Sequence, residues 1–274
     1  TLLDAADRPL RPAILWNDGR SASACVELET RAPTLRAISD NLAMPGLTAP
    51  KLVWVREHEP EVFSRVRHVL LPKDYLRLRM TGEHASDCAD ASGTLWLDVE
   101  KRDWSDTLLA ACDLSREEMP TLFEGSEQTG TLREDVARDW GMARVPVAAG
   151  GGDQAAGAVG VGVVEPGDAS LALGTSGVLF VAGDHFRPFP ERAVHAFCHA
   201  LPGRWHQMSV ILSAASSLEW VTRLTGAQNE SALLEEIDAE DRPAERLLFL
   251  PYLSGERTPH NDPEATGGFA GLTH

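Results

Sequence analysis

Val147-Ala-Ala-Gly-Gly-Gly-Asp-Gln-Ala-Ala-Gly-Ala-Val-Gly-Val-Gly162 is the stretch on which the fold of this chain turns. An apolar, strand-like run breaks at Gly150, Gly151 and Gly152, presents Asp153, and resumes as an Ala/Gly-rich helix. The three glycines let backbone approach a ligand where a side chain would collide. Asp153 then stands near the start of the helix, beside free N–H groups and the positive end of its dipole. A carboxylate there stays ionised and can take a proton from a substrate hydroxyl. The same spacing describes a glycine turn whose Asp caps a helix, and spacing alone leaves both readings open.

Around this stretch the 274 residues are 43% hydrophobic, enough for one large or two medium soluble domains. The net charge of -16 disfavours nucleic acid or an anionic membrane as the main partner. It leaves phosphorylated ligands open, because glycine-loop amides hold phosphate without a basic surface. No apolar run is long enough to span a bilayer. The first residues lack the charged-then-apolar order of a signal peptide. Cys25, Cys88, Cys112 and Cys198 form no Cys-x-x-Cys pair, which favours free thiols and a cytoplasmic setting. A chain that opens on Thr1 is expected to be a piece of a longer one, or processed.

Toward the N-terminus, residues 2–16 read as a β-hairpin about a polar turn at 4–8. Ser21 is placed as the cap of a helix through residue 29, and Thr48 with Pro50 opens another that ends near Pro60. Further helices are expected over 72–80, 104–112 and 132–140, the first stopped at Gly82 and the last at Gly141. After Gly162 the texture changes. Strands at 169–173 and 178–181 flank Gly174-Thr-Ser-Gly177, and a second hairpin joins 194–200 to 205–211 about Pro202-Gly203. Ser213 is expected to cap a helix to Thr225, a charged helix follows over 230–239, and 247–252 reads as a buried strand. The segment 163–167 is the expected domain boundary. The turn-rich segment 253–274 is too long to be an idle loop.

Gly174-Thr175-Ser176-Gly177 brings backbone amides and two hydroxyls into one turn, suited to phosphate or equally to an ordinary hairpin loop. Its partner is the Asp153 turn at the end of the preceding domain. Two ligand-facing glycine loops flanking a hinge describe a cleft between domains. His195, Cys198, His199 and His206 lack zinc-type spacing, and no metal is expected there. The seven tryptophans read mostly as core. Trp16 beside Asp18 and Arg20 suggests a sugar packed on an aromatic face, although Asp18 and Arg20 also read as a structural ion pair. A dinucleotide-binding oxidoreductase fits poorly, because no acidic residue ends a second strand about 20 positions after the glycines.

Six ordered blocks carry a resemblance: Trp16-Asn-Asp-Gly-Arg20, Pro50-Lys-Leu-Val-Trp54, Leu71-Pro-Lys-Asp-Tyr-Leu76, Gly150-Gly-Gly-Asp-Gln154, Leu173-Gly-Thr-Ser-Gly177 and Pro251-Tyr-Leu-Ser-Gly-Glu-Arg-Thr-Pro-His260. Together the chain resembles the FGGY carbohydrate kinases over essentially its whole length. The resemblance implies an α/β, actin/RNase H-like (ribonuclease H-like ATPase) fold of two domains with the active site in the cleft. Residues 1–163 would be the remainder of a sugar-binding domain and 164–274 the beginning of a nucleotide-binding one. It implies transfer of the ATP γ-phosphoryl group to a sugar hydroxyl, with Mg2+ accompanying ATP and D-xylulose the expected sugar. Asp153 matches the general base and Gln154 a sugar contact, with Trp16 and Asp18 on the sugar side. Gly174 and Thr175 match the turn facing the nucleotide phosphates, and Ala215 and Glu219 align with further nucleotide contacts.

The family's first phosphate loop, a Met-His pair expected on the sugar, and the glycine-rich adenine segment are absent from these residues. The chain is therefore expected to be internal to such a kinase, truncated at both ends and inactive alone. Gln154 stands where many xylulose-phosphorylating members carry Asn and glycerol-phosphorylating ones carry Gln. A related pentulose or polyol, or a catalytically incomplete sugar-binding fragment, stays open. Family precedent adds a homodimer.

Overall fold

The N-terminal residues form only the first rungs of the expected hairpin. Leu3 bridges antiparallel to Pro9 and Leu10 N–H donates to the Leu2 carbonyl at 2.9 Å, with no strand over 13–16. In the computed structural model, which describes residues 1–239 and 247–272, Leu2–Leu3 pairs antiparallel with His68–Val69. The turn at 4–8 forms, with the Asp4 N–H donating to the Arg8 carbonyl at 3.0 Å, but the strand after it does not. Pro9 and Pro12 each remove a ladder donor, while the N–H groups of Arg67 and Leu70 donate to the Leu3 and Thr1 carbonyls on the opposite edge.

The chain divides into two units. The first comprises Thr1–Asp168, Ala182–Pro190 and His195–Gln207, and the second Ala169–Val181, Glu191–Val194 and Met208–His274. In the first unit, the helices Ala22–Arg31 and Thr48–His58 pack against each other over a core that includes Leu28, Leu52, Val53, Leu95, Trp96 and Leu108. Ser21 precedes the first helix without capping it, its hydroxyl donating instead to the Pro45 carbonyl. Trp96 and Trp104 are buried and donate to Cys112 Sγ and the Pro120 carbonyl. The helix Pro72–Thr81 begins at a proline and stops where Gly82 takes φ 86°, which only a residue without Cβ adopts freely. Trp104 belongs to the strand Asp103–Trp104, so the helix after it is shortened to Asp106–Ala111, capped by the Ser105 hydroxyl. Ala85–Asp87 and Thr121–Phe123 pair in parallel, and Gln128–Thr131 pairs antiparallel with Pro146–Ala148. The four cysteines are buried free thiols, pushed up by burial to about 11 for Cys25, Cys112 and Cys198 and to about 12 for Cys88.

In the second unit, Ala169–Leu173 pairs antiparallel with Gly177–Gly183, from Gly177 opposite Leu173 to Val181 opposite Ala169. Ala169–Leu173 is the outermost strand of its sheet, with Leu171 63% and Leu173 64% exposed. The helix Ala215–Thr225 ends at Gly226 and starts after Ala214, with no side-chain cap from Ser213. The strand expected to be buried at 247–252 is Leu248–Leu250, and it is not buried: Leu248 is 67% exposed. It pairs with Gly268–Ala270, and Phe249 joins a three-ring cluster with Trp220 and Phe269 while Leu248 and Leu250 stay exposed.

Candidate functional site

The loop that carries Asp153 is fixed from both sides by backbone. Ala149 N–H donates to the Glu127 carbonyl and Gly150 N–H to the Gly125 carbonyl, both at 2.9 Å. Gly150 turns the chain at φ 78°. A Cβ on Gly151 would lie 2.9 Å from the Ala200 Cβ, so the loop passes too close to its neighbour for any side chain there. The helix Asp153–Gly160 follows, with Gly152 rather than Asp153 at the capping position and no side-chain cap bond. The cap reading of Asp153 therefore fails. Its exposed carboxylate accepts from the neighbouring Gln154 Nε2 at 3.3 Å and is left facing solvent at a helix N-terminus.

Behind this loop sits a charged cluster that the spacing of the sequence did not single out. Lys73 Nζ lies 2.6 Å from Asp74, 2.6 Å from Asp87 and 3.2 Å from Asp90. Burial disfavours the Lys73 cation, but the three carboxylates outweigh it and hold its pKa above the usual lysine value. Arg77 joins Asp74 to the Ala85 carbonyl and donates to the Ala149 carbonyl at the foot of the Asp153 loop. A Cβ on Gly152 would sit 3.4 Å from Asp90 Oδ1, so Asp90 lies directly beside the residue before Asp153. Burial raises the Asp90 pKa, with Lys73 opposing. The available signal was Leu71-Pro-Lys-Asp-Tyr-Leu76 itself, whose charged pair was read only as part of a family block.

Trp16 is 78% exposed, as a stacking platform requires, and its backbone carbonyl abuts Gly46. Asp18 is held by Arg20 through 2.8–3.0 Å side-chain bonds, which lower its pKa. The Arg20 guanidinium also lies over the Trp54 ring at 5.0 Å. Among the described residues, no hydrogen bond or ion pair joins Trp16 or Asp18 to Asp153 or Gln154. His195 and His199 are buried against Asn41 and the Val163 carbonyl, and Cys198 Sγ points to the Val99 carbonyl.

In the second unit the exposed turn at Gly174-Thr175-Ser176 is tied to the start of a helix. Ala214 N–H donates to the Thr175 carbonyl at 2.8 Å, Ala215 N–H to the Gly174 carbonyl at 2.9 Å, and the Ser216 hydroxyl to the Thr175 carbonyl. The turn's carbonyls thus face the helix. Among the described residues, no hydrogen bond takes up the amides of Thr175 and Ser176, which suits an anion. Gly177 is required by close approach, since a Cβ there would lie 2.8 Å from Ile211 Cγ1. The structure thus joins Gly174, Thr175 and Ala215, whereas Glu219 lies further along the helix and pairs with Arg223 at 2.6 Å.

The model of the FGGY family of carbohydrate kinases, N-terminal domain, matches residues 1–160, and that of the C-terminal domain matches residues 169–274. The chain belongs to the FGGY carbohydrate kinases. This FGGY chain is 65% identical over 274 residues to a xylulose kinase of Escherichia coli, covering all of the chain and 57% of that protein. It is 39% identical to a xylulose kinase of Lactococcus lactis, covering 99% of the chain and 55% of that protein. A solved "xyloylose kinase" from Brucella ovis superposes with a TM-score of 0.95 at 55% identity, over all of the chain and 56% of that structure. The chain thus spans a little over half the length of these relatives. Its fold is that of the FGGY sugar kinases, mixed α/β and actin/RNase H-like.

Proposed function

We propose that the complete protein carrying this chain phosphorylates D-xylulose to D-xylulose 5-phosphate with ATP, with Asp153 as general base. One observation carries the assignment of the base: Asp153 follows a glycine loop too tightly packed to vary, and its carboxylate is not spent on capping. In the step, Asp153 takes the proton of the sugar 5-hydroxyl as that oxygen bonds to the γ-phosphorus. The bond from the γ-phosphorus to the bridging β-phosphate oxygen breaks, and ADP leaves with its electrons. The transition state is loose, so positioning and charge screening dominate. Gln154, Trp16 and Asp18 are assigned to the sugar, and Gly174, Thr175, Ala215 and Glu219 to the nucleotide. The donors of the 174–176 turn are amides and hydroxyls, which suit phosphate oxygens. Mg2+ therefore enters with ATP, held mostly by phosphate and water. The sugar domain is assigned to 1–163, the nucleotide domain to 164–274, and the location to the cytoplasm, consistent with four free thiols.

A second reading applies to these 274 residues on their own: they bind sugar without turnover, in keeping with coverage of 57% of the Escherichia coli relative. The deciding experiment is ADP release by the full-length protein with D-xylulose and MgATP. Asp153→Asn is expected to lower turnover by roughly 10²–10⁴-fold while leaving sugar binding within a small factor. Undiminished turnover in Asp153→Asn would remove Asp153 from the role of base. ADP release with glycerol or another pentulose but not D-xylulose would move the assignment to that substrate.

A further inference from the structure

Asp7, His68 and His84 meet at one place in the first unit, on elements other than the Asp153 loop. One ligand atom from each lies within 4.8 Å of the other two. His84 Nε2 is 2.8 Å from Asp7 Oδ1, and the rings of His68 and His84 face each other at 4.3 Å between centroids, tilted by 37°. We infer that Asp7, His68 and His84 form a binding site for a divalent transition ion of the zinc class.

The three residues come from segments whose backbones are separately fixed. Asp7 sits at φ 57° in the turn closed by the Asp4–Arg8 bonds, and the Asp4 carboxylate further accepts from the amides of Ala6 and Arg8. His68 lies opposite Leu3 in the strand pair. The His84 carbonyl accepts from Thr121 N–H at 3.1 Å, immediately before the strand Ala85–Asp87. The main chain thus presents three half-buried side chains whose rings and carboxylate need only rotate. Bonds of about 2.0–2.2 Å to a tetrahedral ion set ligand atoms roughly 3.3–3.5 Å apart. Asp7 and His84 already approach to 2.8 Å and no separation among the three exceeds 4.8 Å, so closure asks for side-chain shifts of about an ångström.

The donor set decides the ion. Two imidazole nitrogens and one carboxylate oxygen suit Zn2+, Co2+ or Ni2+. Mg2+ prefers oxygen ligands and keeps its water. The charges nearby act in the same direction. Burial, and then the facing His84, hold His68 below the usual imidazole range, leaving a nitrogen lone pair at neutral pH. Asp7 and Glu118 supply negative charge toward His68, and Glu118 is itself held by the amide and hydroxyl of Ser115. When an ion binds, ligation through Nε2 replaces the His84–Asp7 contact, and the ring carries its hydrogen on Nδ1. Water completes the coordination. The bound ion adds a clip across residues 7, 68 and 84, beyond the Asp7–His84 contact and the facing imidazole rings.

The test is titration of the chelator-stripped full-length protein with Zn2+ by calorimetry and with Co2+ by visible absorption. One ion per chain is expected, with micromolar or tighter affinity, Co2+ bands of nitrogen–oxygen ligation, and a melting temperature that rises with Zn2+. His68→Ala and His84→Ala should each weaken binding by at least on the order of tenfold, the loss that removing even an outer-shell partner causes. Asp7→Asn, which keeps the shape of the side chain, should do the same, and circular dichroism checks that each variant is folded. Absence of stoichiometric binding at micromolar Zn2+ would overturn the site. So would Zn2+ affinity unchanged in both histidine variants, which would place the ion elsewhere in the protein.

Discussion

His206 makes acid the most informative perturbation of the first unit. It is 3% exposed, on the strand Trp205–Ile211, edge-on to the rings of Phe197 and His199. Burial first, then the neighbouring His199 and His195, lower its pKa from 6.5 to about 3. A histidine depressed in this way is neutral in the folded state and takes a proton only on unfolding. The unfolded chain therefore binds more protons between pH 6.5 and 3, and stability falls as pH falls through that window. Each pH unit of full difference is worth about 1.4 kcal/mol, so His206 alone removes about 2 kcal/mol between pH 7 and pH 5. His199, also lowered by burial, adds in the same direction. Asp103 and Asp113, held low by Arg116 and by Arg31 with Arg56, add their own losses only at the acid end of this window. The assay is urea unfolding at pH 7 and pH 5 for the parent and for His206→Gln. The parent should lose about 2 kcal/mol more across that interval than the variant, whatever their difference at pH 7. Equal losses would refute the placement of a neutral, dehydrated imidazole at this site.

Other perturbations test the loop and its support. Gly125→Ala would put a Cβ 2.2 Å from the Ala200 carbonyl and 2.5 Å from that of Gly150. It should cost about 1–3 kcal/mol in urea unfolding and, in the full-length protein, lower turnover by displacing the Asp153 loop. Lys73→Met leaves Asp74, Asp87 and Asp90 facing one another and should cost about 3 kcal/mol at pH 7. That deficit should shrink as pH falls toward 5, because a proton on Asp90 replaces the lost cation, and a deficit unchanged by pH would argue against carboxylate repulsion. Leu28→Ala, in the core under the helix Ala22–Arg31, should lower stability by about 2–5 kcal/mol, read as the shift in urea midpoint at constant slope.

Features written in local chemistry were legible. Gly82, Gly141 and Gly226 all adopt positive φ where a helix stop was expected. The two hairpins after residue 168 form about the turns their glycines announce. Features that depend on a distant partner were not. Residues 13–16 look like a strand, yet the return pairing on Leu2–Leu3 ends at Leu10, and the opposite edge is filled by the distant His68–Val69. Leu248 and Leu250 read as buried because they are apolar, but only Phe249 finds a covering face. Ser21 and Ser213 have the composition of caps, but their hydroxyls do not cap the helices that follow. At the site, Asp153 was visible because glycines flag it. The Lys73 cluster was not, because its three carboxylates converge only after the helix Pro72–Thr81, the strand Ala85–Asp87 and the short helix Cys88–Ser92 have folded together.

The outermost strand Ala169–Leu173 has a practical consequence for anyone handling this chain. Among the described residues nothing pairs with its outer edge, which lies beside two leucines that are more than 60% exposed, with no proline or charge among its five residues. Such an edge templates addition of a like strand from a second molecule. Solutions of the 274-residue chain are therefore expected to scatter light increasingly with concentration and time. A single lysine at position 171 should act as a gatekeeper and restore solubility without altering the hairpin.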